Sequence, residues 1–105
     1  MLFRSQQKRV TDYIEENLSH DVKLSELAAL AELSPYHFAR AFKQSSGVPP
    51  HRYHIERRIA RAKELLSGSS VTEVAMAVGF AETSSFSTAF RGHGLTPSEF
   101  RRGKT

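Results

Sequence analysis

The chain contains no cysteine. That excludes disulfide scaffolds, thiolate zinc sites and cysteine nucleophiles, and it agrees with a reducing cytosol. No apolar run approaches the roughly 18 residues a membrane-spanning helix needs, and the opening residues carry no signal-peptide pattern. A cytoplasmic location is expected. No glycine-rich phosphate cradle is present, and the serines at 84–87 have no His or Asp at a spacing that predicts a nucleophile and its base. Neither an enzyme nor a cofactor is therefore expected. His51 and His54 lie three apart, with His37 and Glu56 nearby in sequence, but spacing fixes no third ligand, so no metal is expected either. His20 and His93 read as exposed turn residues. Alternating β patterns are missing as well.

What remains is helical. At 105 residues, with 39% hydrophobic content and seven Phe, the chain supports a real but modest core. The net charge is +4, and its distribution is uneven. Residues 1–50 carry six basic and six acidic side chains, whereas residues 51–105 carry nine against five. A moderately basic small domain is compatible with a polyanion partner. A domain that is merely soluble and basic fits the charge equally well.

The apolar spacing and capping residues predict seven helices. Val10, Tyr13, Ile14 and Leu18 mark an amphipathic helix over about 5–19. Leu24, Leu27, Ala28 and Ala31 mark a short second one. Ser34-Pro35 opens a third, running to about Ser45 and stopped by Gly47. Pro50 opens the longest, about 50–66, with Ile55, Ile59, Ala62 and Leu66 on one stripe and Arg57 and Arg61 opposite. SGSS at 67–70 breaks it. Ser70 and Glu73 form a capping-box pattern for a fifth helix, about 71–78. Gly79 supplies a turn, a sixth helix covers about 83–92, and Thr96-Pro97-Ser98-Glu99 caps a short last one containing Phe100. The expected organisation is a first subdomain at 5–49, a connecting helix at 50–66 and a second subdomain at 67–105.

The two subdomains repeat one another. SELAALAELS, from Ser25, lies over TEVAMAVGFA, from Thr72, at a shift of 47. The pairs Phe38/Phe42 and Phe86/Phe90 align at 48, and Pro50/Pro97 with Tyr53/Phe100 return to 47. Two periods do not make a solenoid. Each unit is a short helix, a tight turn and a second helix, the layout of a helix-turn-helix, whose second helix enters the DNA major groove.

At 100° per residue, Phe38, Ala41, Phe42 and Ser45 should point inward, leaving Tyr36, Ala39, Arg40 and Lys43 outward. In the sixth helix Phe86, Ala89 and Phe90 should be inward, and Ser84, Ser87, Thr88 and Arg91 outward. Arg40 can bond guanine bidentately, Tyr36 and Ala39 can touch a thymine methyl, and the hydroxyls can meet base edges or phosphates. Lys43 and Arg91 suit the phosphate backbone. Arg57, Arg58 and Arg61 are further phosphate candidates, though a solvated face with pairing to Glu64 explains them as well. The first face is bulky and charged, the second small and hydroxylated, so a DNA site should be non-palindromic. A connecting helix of about 17 residues spans roughly 25 Å. With the width of its flanking units, that approaches the roughly 34 Å turn of B-DNA. The recognition helices at about 35–45 and 83–92 would then enter successive major grooves.

Other readings compete. Tyr36, Ala39 and Arg40 would also suit a helical protein–protein interaction module, since interface anchors are often Tyr and Arg; Ser84, Ser87 and Thr88 are poor protein anchors. Non-specific nucleic-acid coating would want more exposed aromatics for stacking.

AVGFAETSSFSTAFR followed by TPSEFRR resembles the signature of the AraC family of bacterial transcription regulators. LAALAELSPYHFARAFKQSSGVPPHRY resembles that family's first helix-turn-helix, and the likeness extends over about residues 8–102. The resemblance implies an all-α fold of seven helices, two helix-turn-helix subdomains joined by a long helix, and promoter binding with regulation of transcription. By position it implies Tyr36, Ala39 and Arg40 as base readers of the first unit, and Thr83, Ser84, Ser85, Ser87 and Thr88 of the second. Double-stranded DNA is the implied partner. RNA polymerase and an N-terminal effector-binding or dimerising domain outside this chain are further ones, so the chain is expected to be a stand-alone regulator or a C-terminal domain. Glu32 departs from the pattern, standing where the family usually has Gly; a left-handed backbone there would cost about 1 kcal/mol. The SGSS junction is about two residues short, and the exit after Phe90 one.

Overall fold

Residues 1–103 are described in the computed structural model. Lys104 and Thr105, the last two positions of the expected second subdomain, lie outside the described residues. Seven helices form among the described residues: α1 Arg4–Glu16, α2 Leu24–Leu30, α3 Pro35–Ser46, α4 Pro50–Leu65, α5 Val71–Ala77, α6 Thr83–Arg91 and α7 Pro97–Gly103. The chain divides into two units, Met1–His54 and Ile55–Thr105, and the division falls inside α4.

In the first unit, Val10 and Ile14 of α1 are buried with Leu27, Ala28, Ala31, Phe38, Ala41 and Phe42. α1 ends at Glu16, three residues before the spacing predicts. Asn17 is the reason: its side-chain Nδ2 donates to the Tyr13 carbonyl at 2.9 Å, and its own carbonyl accepts from His20 N–H at 3.0 Å. Such local bonds compete with helix continuation. Glu26 links α1 to α2. Its carboxylate accepts the Tyr13 hydroxyl at 2.7 Å and the Lys23 backbone N–H at 3.1 Å. The Tyr13 hydroxyl, followed by that N–H, holds the carboxyl below the usual glutamate range.

The two inter-helix turns share one hydrogen-bond pattern. After α2, Leu33 N–H bonds the Ala28 carbonyl at 3.0 Å and Glu32 N–H the Ala29 carbonyl at 3.1 Å. After α5, Phe80 N–H bonds the Ala75 carbonyl at 2.9 Å and Gly79 N–H the Met76 carbonyl at 3.1 Å. Both are Schellman closures, which require a left-handed residue between the bonds. Gly79 takes that role at φ 98°, and Glu32 takes it at φ 58° without the freedom of glycine.

Each turn delivers a helix whose phenylalanines face inward. Phe38, Phe42, Phe86 and Phe90 are all at most 1% exposed. Burying one such side chain contributes about 1.5–3 kcal/mol. The rings continue the contact: Phe42 meets Tyr53 at 5.5 Å in the first unit. In the second, Phe80, Phe86, Phe90 and Phe100 follow one another at 5.5, 5.6 and 5.7 Å. α3 is capped by Ser34, whose Oγ accepts the His37 N–H at 3.2 Å, and is stopped by Gly47 at φ 83°. Ser45 departs from the expected inward set. It is exposed, and its Oγ accepts the Leu2 N–H at 3.0 Å.

The second unit closes on the stripe Ile59, Ala62 and Leu66, with Ile55 packed beside it. Ala89, expected inward with Phe86 and Phe90, is only half-buried. Ser70 and Glu73 cap α5 reciprocally at 3.0 and 3.1 Å, and Thr96 and Glu99 cap α7 at 3.0 and 3.1 Å. In each case the backbone N–H of the capping residue, then its hydroxyl, lowers the Glu carboxyl's pKa. Arg58 belongs to this unit's interior. It is 6% exposed, with its guanidinium carbon 5.6 Å from the centre of the Phe80 ring. Arg61 instead lies exposed and paired with Glu64 at 3.0 Å.

Three outcomes are expected. Glu32→Gly should raise stability by about 0.5 kcal/mol, strain relief being partly offset by unfolded-chain entropy. Gly79→Ala, at the matching position, should lower it by about 1 kcal/mol. Urea-unfolding midpoints must therefore move in opposite directions. Arg58→Ala should cost about 2 kcal/mol and Arg61→Ala no more than about 0.5, measured in the same way; equal costs would contradict the burial of Arg58. Finally, Glu26, Glu73 and Glu99 have folded pKa values below their unfolded ones, so the unfolded chain binds more protons. Their stabilisation is complete above the ordinary glutamate range and lost as pH falls through the depressed values. Glu73→Gln should flatten part of that acid loss in a pH series of unfolding curves.

Candidate nucleic-acid interface

Because Phe38 and Phe42 are buried one helical turn apart, the rotation of α3 is fixed and its opposite side is held in solvent. Tyr36 is 65% exposed, and Arg40 and Lys43 are exposed beside it. Arg40 Nη1 donates to the Tyr36 hydroxyl at 3.2 Å, and its guanidinium carbon sits 5.7 Å from the centre of that ring. Ala39, expected outward, is half-buried; it lines an apolar hollow with Val22, Leu24, Leu27 and Pro49. Its methyl group lies at the edge of the exposed face.

α6 presents a different surface. Ser84, Ser85, Thr88 and Arg91 are exposed, whereas Thr83 and Ser87 are half-buried. Ser84, Ser85, Thr88 and Ala89 line one shallow concavity. The Thr88 hydroxyl donates to the Ser84 carbonyl at 3.0 Å, which leaves its oxygen outward as an acceptor. Ser84 Oγ donates to Glu82 at 3.4 Å. α6 begins at Glu82 without a side-chain cap, unlike α3. Lys43 and Arg91 each stand in the last turn of their helix, where a cation complements the carbonyl end of the helix dipole.

The phosphate candidates on α4 separate. Arg61 is exposed, Arg57 is half-buried, and Arg58 is withdrawn onto Phe80, so it is not part of the exposed cationic set. Burial also separates the two histidines at the start of α4. His51 is exposed; His54 is 7% exposed, and its Nε2 meets the Leu18 carbonyl at 2.9 Å. Among the described residues no group of three His, Cys, Asp or Glu side chains could hold a metal ion. No helix of the described residues is long and apolar enough to cross a membrane.

His37, which the sequence offers only as a metal candidate, has a structural place at the cap of α3. It is exposed at the start of α3, with Nδ1 2.6 Å from Ser34 Oγ and its ring edge-on to Tyr36 at 5.6 Å. The available signal was the Ser-Pro-Tyr-His order itself: a histidine at the third helical position can reach back to a capping serine.

A family model described as a helix-turn-helix domain matches residues 27–103. The probable transcriptional regulator LumQ of Photobacterium leiognathi is 34% identical over 95 residues, covering 88% of this chain and 38% of LumQ. This chain spans less than half the length of the curated relatives it matches. A solved transcriptional regulator of the AraC-type DNA-binding-domain class, from Chromobacterium violaceum, aligns with TM-score 0.86 at 28% identity, over 94% of this chain and 91% of that one. The DNA-binding domain of the global transcriptional factor AdpA, solved in complex with a target DNA, aligns with TM-score 0.84 at 31% identity, over 93% and 91%. The match over most of the length, together with the doubled turn that the structure displays, leads to one conclusion: the chain belongs to the AraC-type helix-turn-helix family.

Proposed function

We propose that this chain binds double-stranded DNA sequence-specifically at promoters and so regulates transcription. One observation carries the proposal. The same hydrogen-bonded turn is built twice, Ala28 to Leu33 and Ala75 to Phe80, and each time it delivers a helix with buried phenylalanines and an exposed polar side. A helix needed only for packing has no reason to repeat its exposed face in register. The AdpA complex with target DNA supports the same reading.

In this reading α3 and α6 enter successive major grooves. Arg40, with Tyr36 and Ala39 beside it, meets the bases of one half-site. Thr83, Ser84, Ser85, Ser87 and Thr88 meet those of the other. Lys43, Arg57, Arg61 and Arg91 contact phosphates. The half-sites differ because the faces differ, charged in one and hydroxylated in the other. In a longer regulator, contact with RNA polymerase and response to an effector would come from other surfaces or a further domain.

Selection of bound duplexes from a random pool tests this. The expected product is a two-part, asymmetric motif with centres about one helical turn apart, and affinity that falls steeply with added salt. Arg40→Ala should relax one base position by about 1–3 kcal/mol, while Lys43→Ala weakens every sequence alike and lowers the salt slope by about 1. Equal retention of selected and random duplexes at low salt would overturn the proposal.

A further inference from the structure

We propose that Tyr36 is a positioning residue, which holds the Arg40 guanidinium ready to receive one guanine, rather than a reader of a base in its own right. The inference rests on the DNA-binding reading above and specifies how its first half-site is read.

Four side chains at the start of α3 are linked in series. Ser34 Oγ, fixed by accepting the His37 backbone N–H at 3.2 Å, lies 2.6 Å from His37 Nδ1. The His37 ring in turn meets Tyr36 at 5.6 Å, with the planes 77° apart. Tyr36 then engages Arg40 twice. Its hydroxyl accepts from Nη1 at 3.2 Å, and its ring centre lies 5.7 Å from the guanidinium carbon. The series begins at the helix cap and ends at an arginine with five N–H donors.

Chemistry gives the arrangement a purpose. A solvent-exposed arginine samples many rotamers, and association must freeze them. A guanidinium already bonded to the Tyr36 hydroxyl has lost part of that freedom before DNA arrives. The Tyr36 hydroxyl uses one N–H of the five, so the fork that matches guanine O6 and N7 stays available. The i, i+4 spacing of Tyr36 and Arg40 places the two on one side of the helix. The register-matched pair in α6, Ser84 and Thr88, is arranged otherwise: the Thr88 hydroxyl bonds the Ser84 backbone carbonyl at 3.0 Å. That second face is therefore an internal contrast, with no aromatic hydroxyl bonded to its polar side chains.

The test is a double-mutant cycle on the duplex that the wild-type chain selects, with base preference scored at every position. Arg40→Ala identifies the guanine. Tyr36→Phe, which keeps the ring and removes the acceptor, should reduce preference for that guanine about threefold. Tyr36→Ala should reduce it about five- to tenfold. Both effects should vanish in the Arg40→Ala background. Because Tyr36 is 65% exposed, the variants should keep wild-type helicity by circular dichroism. A shift in preference at a different base pair, or an equal Tyr36 effect with and without Arg40, would overturn the positioning role while leaving DNA recognition intact. A wild-type chain that selects no sequence would overturn both.

Discussion

Burial of two phenylalanines one helical turn apart is the constraint on which the rest of the molecule depends. In α3 and again in α6 the pair is driven inward by the hydrophobic effect, and each helix is thereby fixed in rotation about its own axis. A helix so fixed has no choice about what it shows to solvent. Tyr36, Arg40 and Lys43 are outward because Phe38 and Phe42 are inward, and Ser84 and Thr88 because Phe86 and Phe90 are. Packing and the identity of the exposed face are thus two consequences of one spacing.

The turns set the second condition. A recognition helix must leave its partner helix at a defined angle, and the Schellman closure supplies it by bonding the last carbonyls of α2 and α5 to the amides beyond. The second unit meets the left-handed requirement with Gly79, whereas the first meets it with Glu32 at a cost in backbone strain. The units differ in the reverse sense at the next residues. α3 starts from a hydroxyl cap at Ser34; α6 starts from Glu82 with none. The first unit therefore has the more strained turn but the better capped second helix, and its exposed Tyr36–Arg40 pair follows that cap.

Much of this was legible in the sequence because it is written in local signals. Ser34-Pro35, the Ser70/Glu73 and Thr96/Glu99 boxes, and the stops at Gly47 and Gly79 each act within a few residues, so helix order and ends followed from them. The left-handed backbone at Glu32 was legible for the same reason, through the match to Gly79. What escaped was tertiary. Arg58 borders the Ile55–Ile59–Ala62 stripe, and its burial beside Phe80 involves a neighbour more than twenty residues along the chain. Ser45 is exposed and bonds the backbone of Leu2, a partner 43 residues away that no local signal names. Ala39, Ser87 and Ala89 lie on the flanks of their helices, where the 100° wheel gives a direction but the neighbouring helix decides the depth of burial. The end of α1 moved because Asn17 uses its side chain locally.

The central claim is that the two sides left exposed by the phenylalanine pairs are together the DNA-reading surface. Backbone-amide NMR during titration with the selected duplex addresses it most directly. The account predicts that amides in the first turns of α3 and of α6 shift together as one complex forms, while those around Phe42 and Phe90 stay near their free positions. Shifts confined to one of the two helices, or centred on α1 and α7 instead, would contradict it.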